Sequence, residues 1–223
     1  MKITFLGTGA ADWVLAQHRD IDGFRRNSSI LIDECLLVDP GPDVPDALAA
    51  FGKDPMAIRY VLSTHKHADH FSESTLELMR SAQLVSVGIG DTVTAGKYTV
   101  TAYRANHSTA NGAVHFIVSD GEKKLFYGMD GAWLLYDEVA AIKQGVDLAV
   151  IDATIGDKPG DWRIFEHNNL NMVREIKLSL GKYIGRFLIS HMSKGAHTTH
   201  AELEAMMSEF GIEVAHDGLE IEI

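Results

Sequence analysis

Apolar residues in this chain fall into short runs, some alternating with polar residues and some continuous, with stretches of helical period between them. Alternation and β-branched content predict strands at about 2–6, 29–33 and 36–39. A helix is expected from Pro45, which suits a first helical turn, to Phe51, where Gly52 ends it. The continuous apolar run at 58–63 reads as a buried strand. Ser74-Thr75-Leu76-Glu77 has capping-box form within a helix reaching about residue 82, and strands follow at 84–87, 92–94, 98–105, 113–118 and 123–128. A helix at 134–144 stops at Gly145, 147–151 is a buried strand, a helix at 169–180 ends at Gly181, and 186–190 is again a strand. Thr199-His200-Ala201-Glu202 opens a last helix as a capping box, with Leu203, Met206, Met207 and Phe210 on one core-facing side. Asp217-Gly218 signals a hairpin turn, after which Leu219, Ile221 and Ile223 alternate with Glu220 and Glu222 as a half-buried edge strand.

Strand-rich segments alternate with helices in two similar halves. That order fits an α/β (α+β) chain in which two sheets pack face to face with helices outside, a four-layer αββα sandwich. No Pro-rich linker or short repeat divides the 223 residues, so 1–223 is expected to be one domain.

Composition narrows the function without naming it. Hydrophobic content of 46% with 23% charged residues is ordinary for a globular chain, and no run approaches the roughly 20 apolar residues of a membrane span. The opening Met1-Lys2-Ile3-Thr4-Phe5-Leu6-Gly7 lacks the pattern of a secretory signal, so a cytoplasmic location is expected. The single Cys35 lies between apolar runs and reads as a buried or turn thiol. A net charge of −11 argues against a long nucleic-acid partner, whose binding normally needs a basic surface. Bound dications would still supply positive charge locally for a small anionic substrate. The oligomeric state stays open.

The strongest chemical signal is Thr64-His65-Lys66-His67-Ala68-Asp69-His70, four potential ligands just beyond a buried strand. A period of two puts His65 and His67 on one side, while Asp69 and His70 at the following turn can face a second ion. Three further candidates each follow an apolar strand: His107 in Ala105-Asn106-His107-Ser108, Asp130 in Gly128-Met129-Asp130-Gly131, and His191 after Phe187-Leu188-Ile189-Ser190. Imidazole and carboxylate donors without Cys suit zinc or manganese, with iron ranked behind them. Two such ions about 3.5–4 Å apart can generate a nucleophilic oxygen and polarise a scissile ester or phosphodiester.

This H-x-H-x-D-H with its later partners resembles the signature of the metallo-β-lactamase superfamily. The resemblance implies the αββα metallo-β-lactamase fold and two divalent ions. One would be held by His65, His67 and His107, the other by Asp69, His70 and His191, with Asp130 bridging them. It implies hydrolysis through a hydroxide that bridges the ions, with Asp69 both ligand and catalytic residue. Redox di-iron relatives carry Glu where His67 stands, which favours hydrolysis here. Asp39 in Leu37-Val38-Asp39-Pro40-Gly41 matches the family's Asp that orients the His loop.

Within the superfamily the chain resembles the phosphoribosyl cyclic phosphodiesterases, short ribonuclease Z and the pyrroloquinoline quinone synthesis B protein. The resemblance rests on Phe5-Leu6-Gly7-Thr8-Gly9, Glu166-His167-Asn168-Asn169-Leu170-Asn171, the His191 loop and Asp217-Gly218-Leu219-Glu220-Ile221. It implies a hydrolase of small, in some cases cyclic, phosphodiesters in which His167 protonates the leaving oxygen. Residues 10–30 lack the Cys cluster that phosphonate-pathway members use for a structural zinc, so the exact substrate does not carry over. In its place the Arg25-Arg26 pair reads either as a solvated surface pair or as a contact for a substrate phosphate. His197 and His200 either line the mouth of the site or flank a helix, and His18, His115 and His216 read as structural. The alternative activity on the same centre is that of a thioesterase or lactonase. A ligand sensor without catalysis would not need all seven ligands.

Overall fold

In the computed structural model, which describes residues 1–157 and 159–223, the periodicities of the sequence resolve into two sheets with helices on their outer faces. The first sheet takes the order β13-β1-β2-β3-β4-β5. Its strands are β1 (Lys2–Gly7), β2 (Ser29–Ile32), β3 (Leu36–Val38), β4 (Tyr60–Leu62), β5 (Gln83–Leu84) and β13 (Glu220–Glu222). The second runs β12-β11-β10-β9-β8-β7-β6. It contains β6 (Thr92–Ala95), β7 (Tyr98–Arg104), β8 (Val114–Ser119), β9 (Lys124–Gly128), β10 (Val146–Asp152), β11 (Ile184–Ser190) and β12 (Glu213–Val214). The helices are α1 (Leu15–His18), α2 (Val44–Ala50), α3 (Glu73–Leu78), α4 (Tyr136–Ile142), α5 (Leu170–Leu180) and α6 (His200–Ser208).

Strand alternation divides the buried side chains into three apolar layers, which are the spaces of a four-layer sandwich. Ile3, Phe5, Ile30 and Ile32 meet Val100, Phe116, Val118, Leu148, Val150 and Leu188 between the sheets. Odd and even positions then part. Leu148 and Val150 face inward, whereas Ala149 and Ile151 of the same strand pack under Leu170, Val173, Ile176 and Met207 of α5 and α6. Leu6, Leu31, Leu37 and Val61 cover the outer face of the first sheet beneath Val44, Ala47 and Leu48 of α2. Together these layers are the αββα sandwich expected from the alternation of strands and helices.

Three local expectations change. The helix holding Ser74-Thr75-Leu76-Glu77 is capped by Ser72, whose side chain accepts the Thr75 amide, and it ends at Leu78 rather than near residue 82. Asp217-Gly218 does not join neighbouring strands: β12 pairs with β11 in one sheet and β13 with β1 in the other, so this turn crosses between sheets. Of the face assigned to α6, Leu203 and Met207 are buried, Met206 is half-buried, and Phe210 lies beyond the helix end at 38% exposure. The Thr199 capping box is present as expected. Cys35 is half-buried with its Sγ 3.5 Å from the Tyr98 hydroxyl.

Strand direction brings the chemistry to one edge. β3 and β4 are parallel, as are β9, β10 and β11, and β7 runs with β9 through two antiparallel pairings. The C-terminal ends of β4, β7, β9 and β11 therefore lie along the same side of the sandwich.

Candidate metal centre

Each sequence-assigned ligand stands just past one of those strand ends. His65, His67, Asp69 and His70 occupy the loop between β4 and α3; His107 follows β7, Asp130 follows β9 and His191 follows β11. Asp39, Asp130 and His191 all take left-handed backbone angles, with φ of 62°, 57° and 61°. Non-glycine residues adopt this region at a cost, and the surrounding structure has to impose it. Gly41 is needed for close approach, since a Cβ there would lie 2.1 Å from the Asp69 carbonyl oxygen.

The seven side chains converge in two groups that share Asp130. His65, His67, His107 and Asp130 form one and Asp69, His70, His191 and Asp130 the other, with the donor atoms of each within 4.8 Å of one another. Asp130 Oδ2 lies 3.4 Å from His65 Nε2 and 3.7 Å from His107 Nε2. Its Oδ1 lies 3.3 Å from His70 Nε2 and 2.8 Å from His191 Nε2. Nitrogens also face nitrogens: His67 Nδ1 is 3.2 Å from His107 Nε2, and His70 Nε2 is 3.2 Å from His191 Nε2. His65 Nε2 and Asp130 Oδ1 are buried without a hydrogen-bond partner, the 2.8 Å contact to His191 lacking hydrogen-bond geometry. Buried donors and acceptors are normally satisfied. Here they point at common centres, as ligands to cations do. The donor set of imidazole nitrogens and carboxylate oxygens fits divalent zinc or manganese.

The backs of the imidazoles are fixed. Asp39 Oδ2 holds His70 Nδ1 at 2.9 Å, and its Oδ1 accepts the Thr64 amide and hydroxyl at 2.7 and 2.9 Å. Thr64 Oγ1 in turn lies 3.0 Å from His65 Nδ1, so Asp39 orients both histidines. Glu166 Oε2 lies 3.3 Å from His107 Nδ1 and accepts from Thr109 Oγ1 at 2.6 Å, while Thr154 Oγ1 meets His191 Nδ1 at 2.7 Å.

Electrostatics differ between the groups. Burial lowers the pKa of His65, and that of His107 to about 4, because it disfavours the imidazolium more than Asp130 favours it. Burial also opposes protonation of His191 and His70, but Asp130 and Asp69 outweigh it and raise His191 to about 10 and His70 well above its ordinary value. Asp69 and Asp130 are held well below the carboxylate range despite burial, by the neighbouring imidazoles.

His167 lines the same cavity as His67, Asp69, His107, Asp130 and His191. Its Nδ1 lies 2.7 Å from Asp152 Oδ2 and 3.1 Å from Thr154 Oγ1, which leaves Nε2 as the free edge. Burial lowers its pKa, but Asp152 prevails and raises it. Asp152, Thr154 and Glu166 carry no role in the sequence reading. For Asp152 a signal was there: like Asp39 and Asp130, it ends a buried apolar strand. The cavity, about 230 Å³, is also walled by Asp12, Trp162 and Arg163.

The other candidates lie elsewhere. Arg25 and Arg26 are neither a solvated pair nor lining of the cavity at the metal centre. Arg25 is 8% exposed and donates to Thr8 Oγ1 at 2.6 Å and the Ala215 carbonyl at 2.9 Å, while Arg26 pairs with Asp46 at 2.7 Å and Asp217 at 3.5 Å. They tie the N-terminal loop to the C-terminal turn. His200 Nδ1 sits 3.1 Å from Arg25, and His197 Nε2 contacts the Thr154 carbonyl at 3.2 Å from behind. His18 takes the Val14 amide at 2.8 Å, and His216 lies 3.1 Å from the Asp217 carbonyl.

With this geometry in place, a family model described as the metallo-beta-lactamase superfamily matches residues 22–78. The fold of this chain is similar to zinc-bound PqqB from Methylobacterium extorquens, at 19% identity and TM-score 0.79, covering 100% of both chains. A diphosphatase of the PhnP family is similar at 19% identity and TM-score 0.75, over 100% of this chain and 97% of the other. Human short-form tRNase Z is similar at 18% identity and TM-score 0.72, over 100% of this chain and 99% of the other. No curated protein matches the sequence. Among the described residues no helix is long and apolar enough to cross a membrane.

Proposed function

We propose that the chain, acting as one domain, is a binuclear metal-dependent hydrolase of small phosphodiesters. The observation that carries this reading is Asp130, whose two carboxylate oxygens each face a separate His/Asp group. His65, His67 and His107 would hold one zinc or manganese ion, Asp69, His70 and His191 the other. Bound there, the pair supplies Lewis acidity and a nucleophilic oxygen at neutral pH.

The chain's own residues do the rest. Asp39, Thr64, Thr154 and Glu166 hold the ligand imidazoles in one orientation, so little reorganisation is needed as charge develops. Asp152 fixes the His167 ring and favours its imidazolium, leaving Nε2 to give a proton to a departing alkoxide. That proton matters for a phosphodiester with a basic leaving group and little for a thioester, whose thiolate departs unaided. The cavity of about 230 Å³ suits a compact substrate. Of the fold relatives, one is named a diphosphatase and one a tRNase; the net charge of −11 favours a small substrate over RNA.

A panel of cyclic and linear phosphodiesters, a phosphomonoester, a β-lactam, a lactone and a thioester, each with zinc- and manganese-loaded protein, tests the reading. The diesters, five-membered cyclic ones first, should turn over fastest. Thioester or lactone cleavage well above every diester would replace this reading with the alternative activity.

A further inference from the structure

Behind the candidate metal ligands sits a buried His–Glu pair to which none of the preceding chemistry gives a role. His115 near the start of β8 and Glu138 in the first turn of α4 are 1% and 0% exposed, and the imidazole donates from Nδ1 to Glu138 Oε1. Glu138 Oε2 accepts the Leu135 amide at 2.7 Å, which anchors the carboxylate to the start of α4. The far edge of the ring lies against the turn that carries Asp130. A Cβ on Gly131 would stand 2.6 Å from His115 Cε1 and 2.7 Å from Nε2, so only glycine fits there. His115 Nε2 is buried without a closed hydrogen bond.

Two arguments make this more than core filling. A buried hydrogen-bonded polar pair is a poor stabiliser, since an apolar pair of similar volume often serves as well or better. Moreover, the Asp130 backbone, with φ of 57°, has to be imposed by its surroundings. The neighbouring amides are already clamped, Gly131 to Asp152 Oδ2 at 3.2 Å, Ala132 to the Asn106 carbonyl at 3.1 Å and Trp133 to Asn168 Oδ1 at 2.7 Å. His115, held by Glu138 of α4, packs against the same turn.

We propose that the buried His115–Glu138 pair is a positioning device for the metal centre, holding the Asp130–Gly131 turn so that each carboxylate oxygen of Asp130 reaches one ion. The proposal rests on Asp130 being a metal ligand.

Cobalt(II) titration of the full chain, followed through its visible absorption, reads both affinity and ligand geometry. Glu138→Gln and His115→Met should weaken the looser cobalt ion ten- to a hundredfold, the range seen when support for metal ligands is lost, and alter its spectrum. His115→Gln, which keeps a donor towards the Asp130 turn, should recover part of the affinity. Cobalt affinities and spectra within twofold of wild type in the folded variants, whatever their melting temperatures, would overturn the proposal. Glu138→Gln decides the matter if His115→Met does not fold. Asp130→Asn runs alongside: unchanged cobalt binding there would sink the ligand assignment itself, a result distinct from failure of the positioning role.

Discussion

At the scale of single residues, Asp130 and His167 carry the sharpest consequences. Because Asp130 serves both ligand groups, its loss should affect two ions at once. Elemental analysis of protein in excess metal should approach two ions per chain, and Asp130→Ala should lower that number and remove most activity; a wild-type value that stays at one would exclude the binuclear centre. His167 makes a different prediction. With His167 as the proposed proton donor, His167→Ala should slow a ribose cyclic diester by about 10²–10⁴-fold, while a nitrophenyl diester, whose phenolate leaves unaided, should lose far less. Equal losses on both, with metal retained, would make His167 a binding residue. The seven candidate ligands were legible because four of them crowd into one loop and each of the others follows an apolar strand. Glu166 and Thr154 were not, since a lone side chain gives no sign of which distant imidazole it backs.

At the scale of elements, the strands that end at the site also form the core, so packing and chemistry are coupled through the same residues. Leu188 of β11 faces the other sheet at 0% exposure, three residues before His191, whereas Leu178 of α5 is 72% exposed. Leu188→Ala should cost about 2–5 kcal/mol in urea denaturation. Leu178→Ala should stay within about 0.5 kcal/mol. Comparable effects at both sites would contradict the layer assignment. The same alternation that separates Leu148 from Ala149 made most strands legible, and boundaries moved by only a few residues. The two-residue strands β5 and β12 and the four-residue helix α1 are set by tertiary pairing, and β12 in particular was missed. The turn at Asp217-Gly218 misled for a related reason: turn chemistry fixes a change of direction but not which sheet receives the next strand.

At the scale of the whole molecule, protons, metal ions and stability are linked, and the two ligand groups should respond to pH in different ways. Without metal, His65 and His107 are neutral near pH 7, the latter having a pKa of about 4, whereas His191 at about 10 and His70 hold protons against Asp130 and Asp69. A histidine has to be neutral to bind a metal, so filling the second group expels the protons of His70 and His191, whereas His65 and His107 have none to lose. The affinity of the ion at Asp69, His70 and His191 should therefore rise with pH towards 10, by as much as about tenfold per pH unit for each proton displaced. The other ion should show little change above about pH 7. For the metal-free fold the sign reverses. The raised His191 pKa contributes stability that is complete below the unfolded value of about 6.5 and is lost as pH climbs through about 10, so melting of metal-free protein should fall over that interval. Metal-loaded protein, with the proton already replaced by an ion, should not share the decline. Zinc calorimetry in buffers of different ionisation enthalpy counts the protons directly. Release confined to one of two binding steps is the expected result, and two steps with no release would contradict the electrostatic account of the second group.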